Sequence, residues 1–395
     1  MSIDFLFITG HYKPALNSGG PVNSVSSMAE ALVALGHSVT VIALNEDDGV
    51  VMDVPIAHRC WINGVSVYYF AASSPMWRRF RRSRSGIRKW SSSAITWLKK
   101  KVVEFDVVHL QIGLLQPATL VAKLAQKHRK ILCYHQRGNL DPRRFGRAHC
   151  LKSLYIRVIE RQALDRASVL FALSAREEVT YLKWSENSNI VRLPNGVHFE
   201  QWCKPEQTTS SPAGAGLLFV WSARWDIRKG ALEFIAACQG LGEHFPSATF
   251  KMVGPTWGED LEVVRAAVDA SHLDRLELIA GASEDERRAI IQNADYFILP
   301  TYGEGFSVAI LEAMAAEAVV VTTPEANFPE LEYDRVGCLC SRSSDAIVAR
   351  VLNLESEPEG RQRMSRRATQ YVAEKYQWKS IVDVYLDTIT PLLEN

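Results

Sequence analysis

The fold of this chain is decided by the stretch Tyr296-Phe-Ile-Leu-Pro-Thr-Tyr-Gly-Glu-Gly-Phe-Ser-Val-Ala-Ile-Leu-Glu-Ala-Met-Ala-Ala316. Its first four residues are apolar and predict a buried parallel strand, which a proline and two glycines bring to an end. Apolar residues then recur at helical spacing from Phe306 to Met314. A strand, a glycine turn and a helix start together place backbone N–H groups and the positive end of a helix dipole at the carboxyl edge of a sheet. That arrangement binds phosphate.

Two acidic residues bracket this turn. Glu304 stands just before the helix and Glu312 two turns inside it. A carboxylate beside an anion site is unfavourable unless it accepts hydrogen bonds from hydroxyl groups, so the pattern predicts a phosphate that carries polyhydroxyl groups at both ends, as in a nucleotide sugar. The simpler interpretation is a helix cap and a solvated helix position. Solvation explains Glu312 poorly, because Leu311 and Ala313 flank it in a helix with few other charges.

Strand-like and helix-like segments alternate along the chain and predict two doubly wound α/β domains with a ligand cleft between them. The first domain is predicted over 1–202, a linker over 203–216 and the second domain over 217–376. The strands are predicted at Ile3–Thr9, Ser38–Leu44, Val65–Phe70, Val107–Leu110, Ile131–His135, Val169–Leu173, Ile190–Leu193, Leu217–Ser222, Thr249–Val253, Leu276–Ile279, Tyr296–Leu299 and Val319–Thr322. Helices are predicted at Pro21–Leu35, Ala231–Leu241 and Arg361–Leu393.

Composition narrows the class of protein. The chain has 395 residues, 47% of them hydrophobic, and a net charge of +1, so no global field favours nucleic acid. Seven scattered cysteines predict reduced thiols in the cytoplasm. The first residues predict a strand and no signal peptide, and no apolar run approaches the roughly 18 residues of a membrane span. Dinucleotide-binding and P-loop glycine motifs do not occur, and neither does an Asp-x-Asp metal clamp, so no metal or other cofactor is expected.

Two cations follow the first strand of the second domain. Arg224 ends the strand, and Lys229 precedes Gly230 five residues later. Arginine offers a planar fork and lysine a point charge, so together they can neutralise a diphosphate and stabilise it as it leaves. The alternative is that both are surface cations of a loop that also contains Arg228.

The first domain offers two further loops. Gly19 and Gly20 follow the first strand, where they let the backbone approach a ligand closely or simply make a tight turn. His135 ends a later strand and Arg137 follows two residues on, which puts both side chains on one side if the chain is still extended.

The motifs Glu304-Gly305-Phe306 and Leu311-Glu312-Ala313-Met314-Ala315 resemble the E-x7-E element of retaining glycosyltransferases of the GT-B fold, glycosyltransferase family 4. The resemblance implies that Glu304 lies near the donor sugar and that Glu312 binds the donor ribose. It assigns the diphosphate to Arg224 and Lys229. The donor set also includes Gly19, Gly20, Gly305, Phe306 and Ser307.

The resemblance carries further implications. Arg137-Gly138 takes the place of a family pair near the transferred sugar, and either His135 or Arg137 would face that sugar. The final helix, over 377–395, would complete the first domain. The activity implied is retaining, metal-independent transfer of a sugar from a nucleoside-diphosphate donor to a hydroxyl of a saccharide or a lipid-linked saccharide. A non-catalytic GT-B scaffold and a sugar-nucleotide epimerase are the alternatives.

Cations and aromatic residues alternate from Trp77 to Trp90, without an acid. This stretch predicts contact with an anionic membrane surface, since cations attract such lipids and tryptophan favours the interface. The alternative is a solvated loop. A cytoplasmic protein held at the inner face of the plasma membrane is therefore expected.

Overall fold

The computed structural model describes residues 2–15, 19–47, 49–71, 90–111, 113–115, 117–146, 149–204, 216–256, 258 and 260–394. The chain divides into two compact units. Unit 1 comprises Met1–Gly196 and Trp378–Asn395, and unit 2 comprises Val197–Gln377. Every helix in the described ranges falls short of the length or the apolar character that crossing a membrane requires.

Unit 1 is built on a mixed sheet with helices on both faces. Its strands are β1 Asp4–Ile8, β2 Ser38–Leu44, β3 Glu46–Asp47, β4 Val50–Val51, β5 Arg59–Ile62, β6 Val65–Phe70, β7 Val107–Leu110, β8 Ile131–His135, β9 Val169–Ala172 and β10 Ile190–Arg192. Its helices are α1 Gly20–Ala34, α2 Ser92–Lys101, α3 Ala118–Lys127, α4 His149–Tyr155, a π-helical turn Ile156–Glu160, α5 Arg161–Leu164 and α6 Ala175–Trp184.

Unit 2 is built on a parallel sheet. Its strands are β11 Leu218–Ser222, β12 Thr249–Gly254, β13 Leu276–Ala280, β14 Tyr296–Leu299, β15 Val319–Thr322 and β16 Cys338–Leu339. Its helices are α7 Phe199–Trp202, α8 Ala231–His244, α9 Leu261–Ser271, α10 Glu284–Gln292, α11 Val308–Ala315, α12 Glu330–Tyr333, α13 Ser344–Glu355 and α14 Pro358–Lys375. The last helix of the chain, α15 Trp378–Leu393, belongs to unit 1.

The strand orders reveal the same winding in both units. Unit 1 has the order β10-β9-β8-β7-β1-β2-β6-β5, and unit 2 has the order β13-β12-β11-β14-β15-β16. In each unit the chain winds outward from a first strand, returns, and winds outward on the other side, which is the Rossmann pattern. The order reverses between β1 and β7 in unit 1 and between β11 and β14 in unit 2.

The core of unit 1 lies on both faces of its sheet. Along β1, Phe5 and Phe7 pack with α1 and α15, whereas Leu6 and Ile8 pack on the opposite face. This period of two follows from the alternation of side chains along a strand. Both faces are apolar because helices cover both.

Six predicted strands, namely β2, β6, β7, β8, β14 and β15, have the bounds that the sequence predicts. The sequence analysis did not predict β3, β4, β5 or β16, and of these β5 forms the edge of the unit 1 sheet. β5 pairs antiparallel with β6 through Asn63 and Gly64, whose φ angles of 49° and 78° are those of a tight hairpin turn. The single helical stretch predicted from Arg361 is instead two helices separated by Tyr376 and Gln377.

The boundary between the units differs from the predicted one. The prediction puts the end of the first domain at residue 202, whereas unit 2 begins at Val197. The reason is α7, whose Trp202 is 2% exposed and lies under the guanidinium of Arg287, 4.7 Å from the ring centre. Residues 205–215 of the predicted linker lie outside the described ranges.

Most of the stretch that is predicted to contact a membrane, Trp77 to Trp90, also lies outside the described ranges. Residues 77–89 are not among those described. Trp90 is described and packs in the core of unit 1, so it cannot contact a membrane. All seven cysteines lie in described ranges, and none of them is joined to another by a disulfide there.

Candidate functional site

The candidate site of unit 2 lies at the point where its strand order reverses. In an open α/β sheet, loops that leave two adjacent strands in opposite directions form a crevice at the carboxyl ends of those strands. Here those strands are β11 and β14, which pair in parallel. Arg224 and Lys229 follow β11, and Glu304 follows β14. The topology therefore brings together the residues that the sequence analysis selected 75 positions apart.

The loop after β11 is organised by an aspartate that the sequence analysis did not select. Asp226 caps a 3-10 turn, Ile227–Lys229, by accepting a hydrogen bond from the backbone of Arg228 at 3.0 Å. Its carboxylate also accepts from the Arg228 guanidinium at 3.0 and 2.6 Å and lies 3.7 Å from that of Arg224. Burial alone would raise the pKa of Asp226, but these bonds and charges hold it below its usual value. The carboxylate stays ionised and orients both arginines.

Lys229 is fixed by its backbone. The buried indole of Trp221 donates to the Lys229 carbonyl at 3.0 Å. The next residue, Gly230, has a φ of 75°, and a Cβ there would lie 2.1 Å from the carbonyl oxygen of Pro300. Only glycine allows this approach, which places Lys229 against the end of β14.

Lys229 and Glu304 form an ion pair at this edge. The Nζ–Oε1 distance is 2.5 Å, and both side chains are mostly buried. The Thr301 hydroxyl lies 3.4 Å from the same Oε1, and the Glu304 backbone bonds the Glu325 carbonyl at 3.0 Å. An ammonium carries three N–H donors, so Lys229 can bond Glu304 and a phosphate oxygen together.

The start of α11 completes the crevice. Ser307 occupies the cap position without making a capping hydrogen bond, and the first turn contains no acidic residue. The backbone N–H groups of this turn and the adjoining Gly305 are thus suited to an anion. Phe306 is predicted to bind the donor, but its ring packs on the rings of Phe328 and Tyr376, with centres 5.0 and 5.7 Å away. Its side chain therefore has another role than contact with a ligand. It anchors the loop.

Glu312 is 8% exposed and bonded to Arg287, a residue that sequence reasoning missed. The Arg287 guanidinium donates to both carboxylate oxygens, at 2.7 and 3.2 Å, and stacks on Trp202. Burial alone would lower the pKa of Arg287, but the charge and hydrogen bonds of Glu312 raise it. A carboxylate offers about four lone-pair sites, so this fork fixes its orientation and leaves acceptor capacity for hydroxyl groups.

In unit 1, the predicted glycine loop opens α1. Gly19 has a φ of 83° and caps the helix, and Gly20 is its first residue. A Cβ at either position would meet no atom within 4 Å, so these glycines border open space. Their backbone can approach a ligand closely, while residues 16–18 of the loop lie outside the described ranges.

The second predicted loop of unit 1 contains a strained turn. Arg137 and Gly138 both have positive φ angles, 49° and 75°. The turn is held by the backbone N–H of Gln136, which donates to the Tyr181 hydroxyl at 2.8 Å, and by that of Gly138, which donates to Glu177. A side chain in the left-handed region costs free energy, and such positions concentrate at functional sites.

The guanidinium of Arg137 is buried in a polar cage. It donates to the side-chain oxygen of Gln111 from two nitrogens, at 3.1 and 2.6 Å, and to that of Asn195 at 3.1 Å. Burial lowers the pKa of Arg137 to about 10, against the charge of Glu177, so the group remains charged at neutral pH. Gln111 follows β7, the strand at which the order of unit 1 reverses.

His135 lies deeper than Arg137. It is 1% exposed and stacks on His109, with ring centres 6.2 Å apart. Burial lowers the pKa of both imidazoles well below the usual value, and the charge of Arg137 adds to this, so both are neutral. Neither ring nitrogen of His135 has a hydrogen-bond partner among the described residues. The two candidates therefore differ: Arg137 sits in the turn, and His135 is packed in the core.

No cluster of three or more His, Cys, Asp or Glu side chains suited to a metal ion occurs in the described part of the chain.

Two family profiles match the chain. The family described as "Glycosyl transferase 4-like domain" matches residues 19–196, and "Glycosyl transferases group 1" matches residues 208–371. The first match lies in unit 1, and the second coincides with most of unit 2.

Curated relatives are distant. GDP-mannose:cellobiosyl-diphosphopolyprenol alpha-mannosyltransferase of Xanthomonas oryzae pv. oryzae is 25% identical over 61% of this chain, which spans 63% of that protein's length. Phosphatidyl-myo-inositol mannosyltransferase of Mycolicibacterium smegmatis is 24% identical over 92% of this chain and 88% of its own.

Solved structures share the fold over nearly the whole chain. Sucrose-phosphate synthase from Thermosynechococcus elongatus superimposes with a TM-score of 0.73 at 16% identity, covering 99% of both chains. Anabaena HepE, solved with UDP-glucose, gives a TM-score of 0.71 at 15% identity and covers 100% of both. With these folds and the two profile matches, the chain belongs to the GT-B glycosyltransferases of group 1.

Proposed function

We propose that this chain is a retaining, metal-independent hexosyltransferase. Its donor is a nucleoside-diphosphate sugar, and its acceptor is a hydroxyl of a saccharide or a lipid-linked saccharide in the synthesis of a cell-surface polysaccharide or glycolipid. The proposal rests above all on one observation: the Lys229–Glu304 pair lies beside the uncapped start of α11, where the strand order of unit 2 reverses.

The chemistry of these groups supports a diphosphate ligand. Arg224 and Lys229 supply two positive charges, and the N–H groups at the start of α11 supply aligned donors, so a pyrophosphate can be neutralised without a metal. Glu312, oriented by Arg287, would accept hydrogen bonds from the ribose hydroxyls. Glu304 would accept from hydroxyls of the donor sugar. This division places an acid on each side of the phosphates.

The names of the relatives support the same substrate classes. The Xanthomonas oryzae relative is named for GDP-mannose and a diphosphopolyprenol-linked acceptor, and the Mycolicibacterium smegmatis relative for a phosphatidylinositol acceptor. HepE was crystallised with UDP-glucose. The first two names support a lipid-linked acceptor, and the third supports a nucleotide-sugar donor; location at the inner face of the plasma membrane remains part of the proposal.

Transfer with retention needs no enzymic base. The bond from the anomeric carbon to the phosphate oxygen breaks, and the acceptor oxygen bonds the same face of that carbon. The acceptor proton passes to an oxygen of the departing diphosphate, which carries away the electron pair. Arg224, Lys229 and the α11 N–H groups stabilise the charge that develops on that diphosphate. Buried, neutral His135 takes no part in proton transfer, whereas the Arg137 turn positions the sugar.

The test begins with thermal shift against UDP-, GDP- and ADP-sugars, because a ligand that binds the native state raises the melting temperature. The donor so found is then supplied with lipid-linked saccharide acceptors. We expect a product with the anomeric configuration of the donor, formed equally well in EDTA. An inverted product contradicts retention, and loss of activity in EDTA contradicts metal independence.

Two other outcomes would replace the proposal. If no donor is ever hydrolysed or transferred, the chain is a nucleotide-sugar-binding scaffold. If the sugar nucleotide changes its own configuration without an acceptor, the chain is an epimerase.

A further inference from the structure

An aspartate in unit 1 holds two exposed arginines. Asp141 lies in the loop after β8 and caps the 3-10 turn Pro142–Arg144, where it accepts a hydrogen bond from the backbone N–H of Arg143 at 3.1 Å. Its carboxylate also accepts from the Arg143 guanidinium, with Nη2 and Oδ2 2.8 Å apart, and from Nε of Arg176 at 3.2 Å. We call Asp141, Arg143 and Arg176 the Asp141 cluster.

The Asp141 cluster repeats the arrangement around Asp226 in unit 2. There, too, an aspartate that follows a parallel strand caps a 3-10 turn, bonds the arginine two positions later and lies beside a second arginine. Asp141-Pro-Arg143 and Asp226-Ile-Arg228 share the spacing Asp-x-Arg. Because the arrangement in unit 2 lies beside the proposed diphosphate site, its counterpart in unit 1 is a candidate site for a second phosphate group.

The aspartate is buried, whereas the two arginines are accessible. The side chain of Asp141 is 10% exposed, and those of Arg143 and Arg176 are 42% and 40% exposed. A guanidinium has five N–H groups. Among the described residues, bonds to Asp141 use two of those of Arg143 and one of those of Arg176. Each arginine therefore keeps N–H groups that can bond a ligand oxygen, and two cations against one anion leave the cluster positively charged.

The Asp141 cluster lies at the carboxyl edge of the unit 1 sheet. β8 and β9 pair in parallel, Asp141 follows β8, and Arg176 lies in the first turn of α6, which follows β9. The loop is fixed to α6, because the Trp184 indole donates to the carbonyl of Leu140 at 3.0 Å. The turn at Arg137, which positions the sugar in the proposed reaction, precedes Asp141 by four residues in the same loop. A ligand of the cluster would therefore lie at the acceptor-side edge.

We propose that the Asp141 cluster binds the phosphate or diphosphate group of a phosphorylated acceptor saccharide. A phosphate ester carries about two negative charges and offers three acceptor oxygens, so it can bond both guanidiniums at once. The sequence between Asp141 and Glu160 adds to the positive potential, since it contains five lysines and arginines and no acidic residue. The inference rests on the proposed transferase activity and deepens it, because it names a chemical group that the acceptor carries.

The simpler interpretation is a surface ion pair. One arginine is enough to pair with Asp141, and ion pairs of accessible arginines contribute little to stability. This interpretation therefore gives no reason for two arginines from different elements to converge on one carboxylate. A ligand that needs both of them does.

The first test is calorimetric titration of inorganic pyrophosphate into the full chain, with unit 2 saturated by whichever of UDP, GDP and ADP it binds. We expect a pyrophosphate site that Arg143→Gln together with Arg176→Gln weakens about 30-fold. The matched control is Arg161→Gln together with Arg192→Gln, which removes two arginines of unit 1 that also bond carboxylates and are 42% and 46% exposed. It should bind pyrophosphate as the unchanged chain does.

A second variant, Arg143→Lys together with Arg176→Lys, keeps the charges and the partner of Asp141 but removes the planar forks. We expect it to bind pyrophosphate about tenfold more weakly than the unchanged chain. The site is refuted if no pyrophosphate binds, or if the Gln or the Lys variant binds it normally. An equal loss in the control pair also refutes it, because general charge would then explain the binding.

A kinetic test identifies the source of the phosphate. The smallest saccharide that accepts the sugar is supplied as its anomeric phosphate and as its methyl glycoside, both soluble in water. We expect kcat/KM to favour the phosphate at least about tenfold in the unchanged chain and to lose this preference in the Gln variant. If pyrophosphate binds but the unchanged chain has no such preference, the cluster is a site for free phosphate and the acceptor assignment is wrong.

The two tests also separate this inference from the proposed function. If the chain transfers no sugar at all, the proposed function fails and the acceptor assignment fails with it. The pyrophosphate titration needs neither donor nor acceptor, and it is made without a nucleotide if unit 2 binds none. It therefore still decides whether the Asp141 cluster is a phosphate site.

Discussion

At the carboxyl edge of the unit 2 sheet, Lys229 bonds Glu304 in a pair that solvent partly reaches. At the corresponding edge of unit 1, Arg137 bonds Gln111 and Asn195 in a buried cage beside two neutral histidines. Both edges place a cation next to a polar partner after a parallel strand. The partner is charged in one unit and neutral in the other.

Because of this difference, we expect the two sites to respond differently to substitution. The Lys229 and Glu304 side chains are mostly buried but still 22% and 12% exposed, so a ligand can reach both groups and compensate a bond that it replaces. A ligand cannot do so in the buried cage, where any unpaired donor or acceptor costs its full desolvation. We therefore expect substitutions in the unit 2 pair to change activity and spare stability. Substitutions in the unit 1 cage should change stability first.

The largest effect is expected for Glu304→Gln. This change keeps the shape of the side chain but removes the charge that bonds Lys229 and would accept the donor-sugar hydroxyls. We expect kcat to fall by about 10²–10³ and the free energy of unfolding to fall by only about 1 kcal/mol, because the glutamine oxygen still accepts a hydrogen bond from Lys229. Glu277→Gln, in the surface pair with Lys251, is the control and should leave both quantities unchanged. A drop in stability as large as the drop in activity would make Glu304 a structural residue.

Gln111→Leu tests the cage. The buried Arg137 guanidinium loses an oxygen that accepts two of its N–H groups, so we expect a loss of about 3 kcal/mol in the free energy of unfolding. Urea denaturation measures it. The control is Gln126→Leu, which removes an exposed acceptor of Arg166 and should cost far less. If both variants are equally stable, the cage does not carry the stability that the comparison assigns to it.

A buried carboxyl in unit 1 predicts a dependence on pH. Burial raises the pKa of Glu160 to about 7, against hydrogen bonds from Tyr134 and Leu114 that lower it. The folded state therefore holds a proton that the unfolded state releases near pH 4.5. The free energy of unfolding should fall by about 3 kcal/mol as pH rises from about 4.5 to about 7. Glu160→Gln cannot ionise and should be more stable than the unchanged chain at pH 8, with the advantage gone near pH 4.5.

The exposed control for this prediction is Glu262→Gln, which should follow the pH curve of the unchanged chain. Denaturation at pH 5, 6.5 and 8 is sufficient. An equal stability difference between Glu160→Gln and the unchanged chain at all three values would contradict the prediction.

The smallest effect is expected for Arg287→Lys. Lysine keeps the charge but cannot bond both oxygens of Glu312 in a fork or stack equally well on Trp202. Glu312 loses its fixed orientation, so we expect donor affinity to fall about tenfold. Arg288→Lys, at the next position on α10, is the control. Equal donor affinity in the two variants would show that Glu312 needs no orienting partner.

The sequence predicts the parts of this molecule that depend on local pattern. Short apolar runs closed by glycine or proline fix β14 and β15 to the residue, because a buried parallel strand needs apolar residues on both faces. The Asn63-Gly64 hairpin also carries a local signal, because Asn-Gly is the dipeptide that a two-residue hairpin turn favours. The break between α14 and α15 at Tyr376 carries no local sequence signal, because it depends on the packing of Tyr376 against Phe306 and Phe328.

The candidate site divides in the same way. Glu304, Glu312, Arg224 and Lys229 stand in motifs that can be read along the chain. The partners of these residues cannot be predicted from local sequence. The hydrogen bond from Arg287 to Glu312, for example, joins residues 25 positions apart on different helices. The burial of His135 is likewise a property of the packed sheet, so the sequence left its role and that of Arg137 open.

The central claim is that unit 2 holds a pyrophosphate through Lys229. The most direct measurement is calorimetric titration of UDP, GDP and ADP into the unchanged chain, into Lys229→Ala, and into Lys251→Ala as the matched control. We expect at least one nucleoside diphosphate to bind the unchanged chain, Lys229→Ala to bind it about 30-fold more weakly, and Lys251→Ala to bind it equally well. Equal affinity in Lys229→Ala, or no binding of any nucleoside diphosphate to the unchanged chain, would contradict the claim.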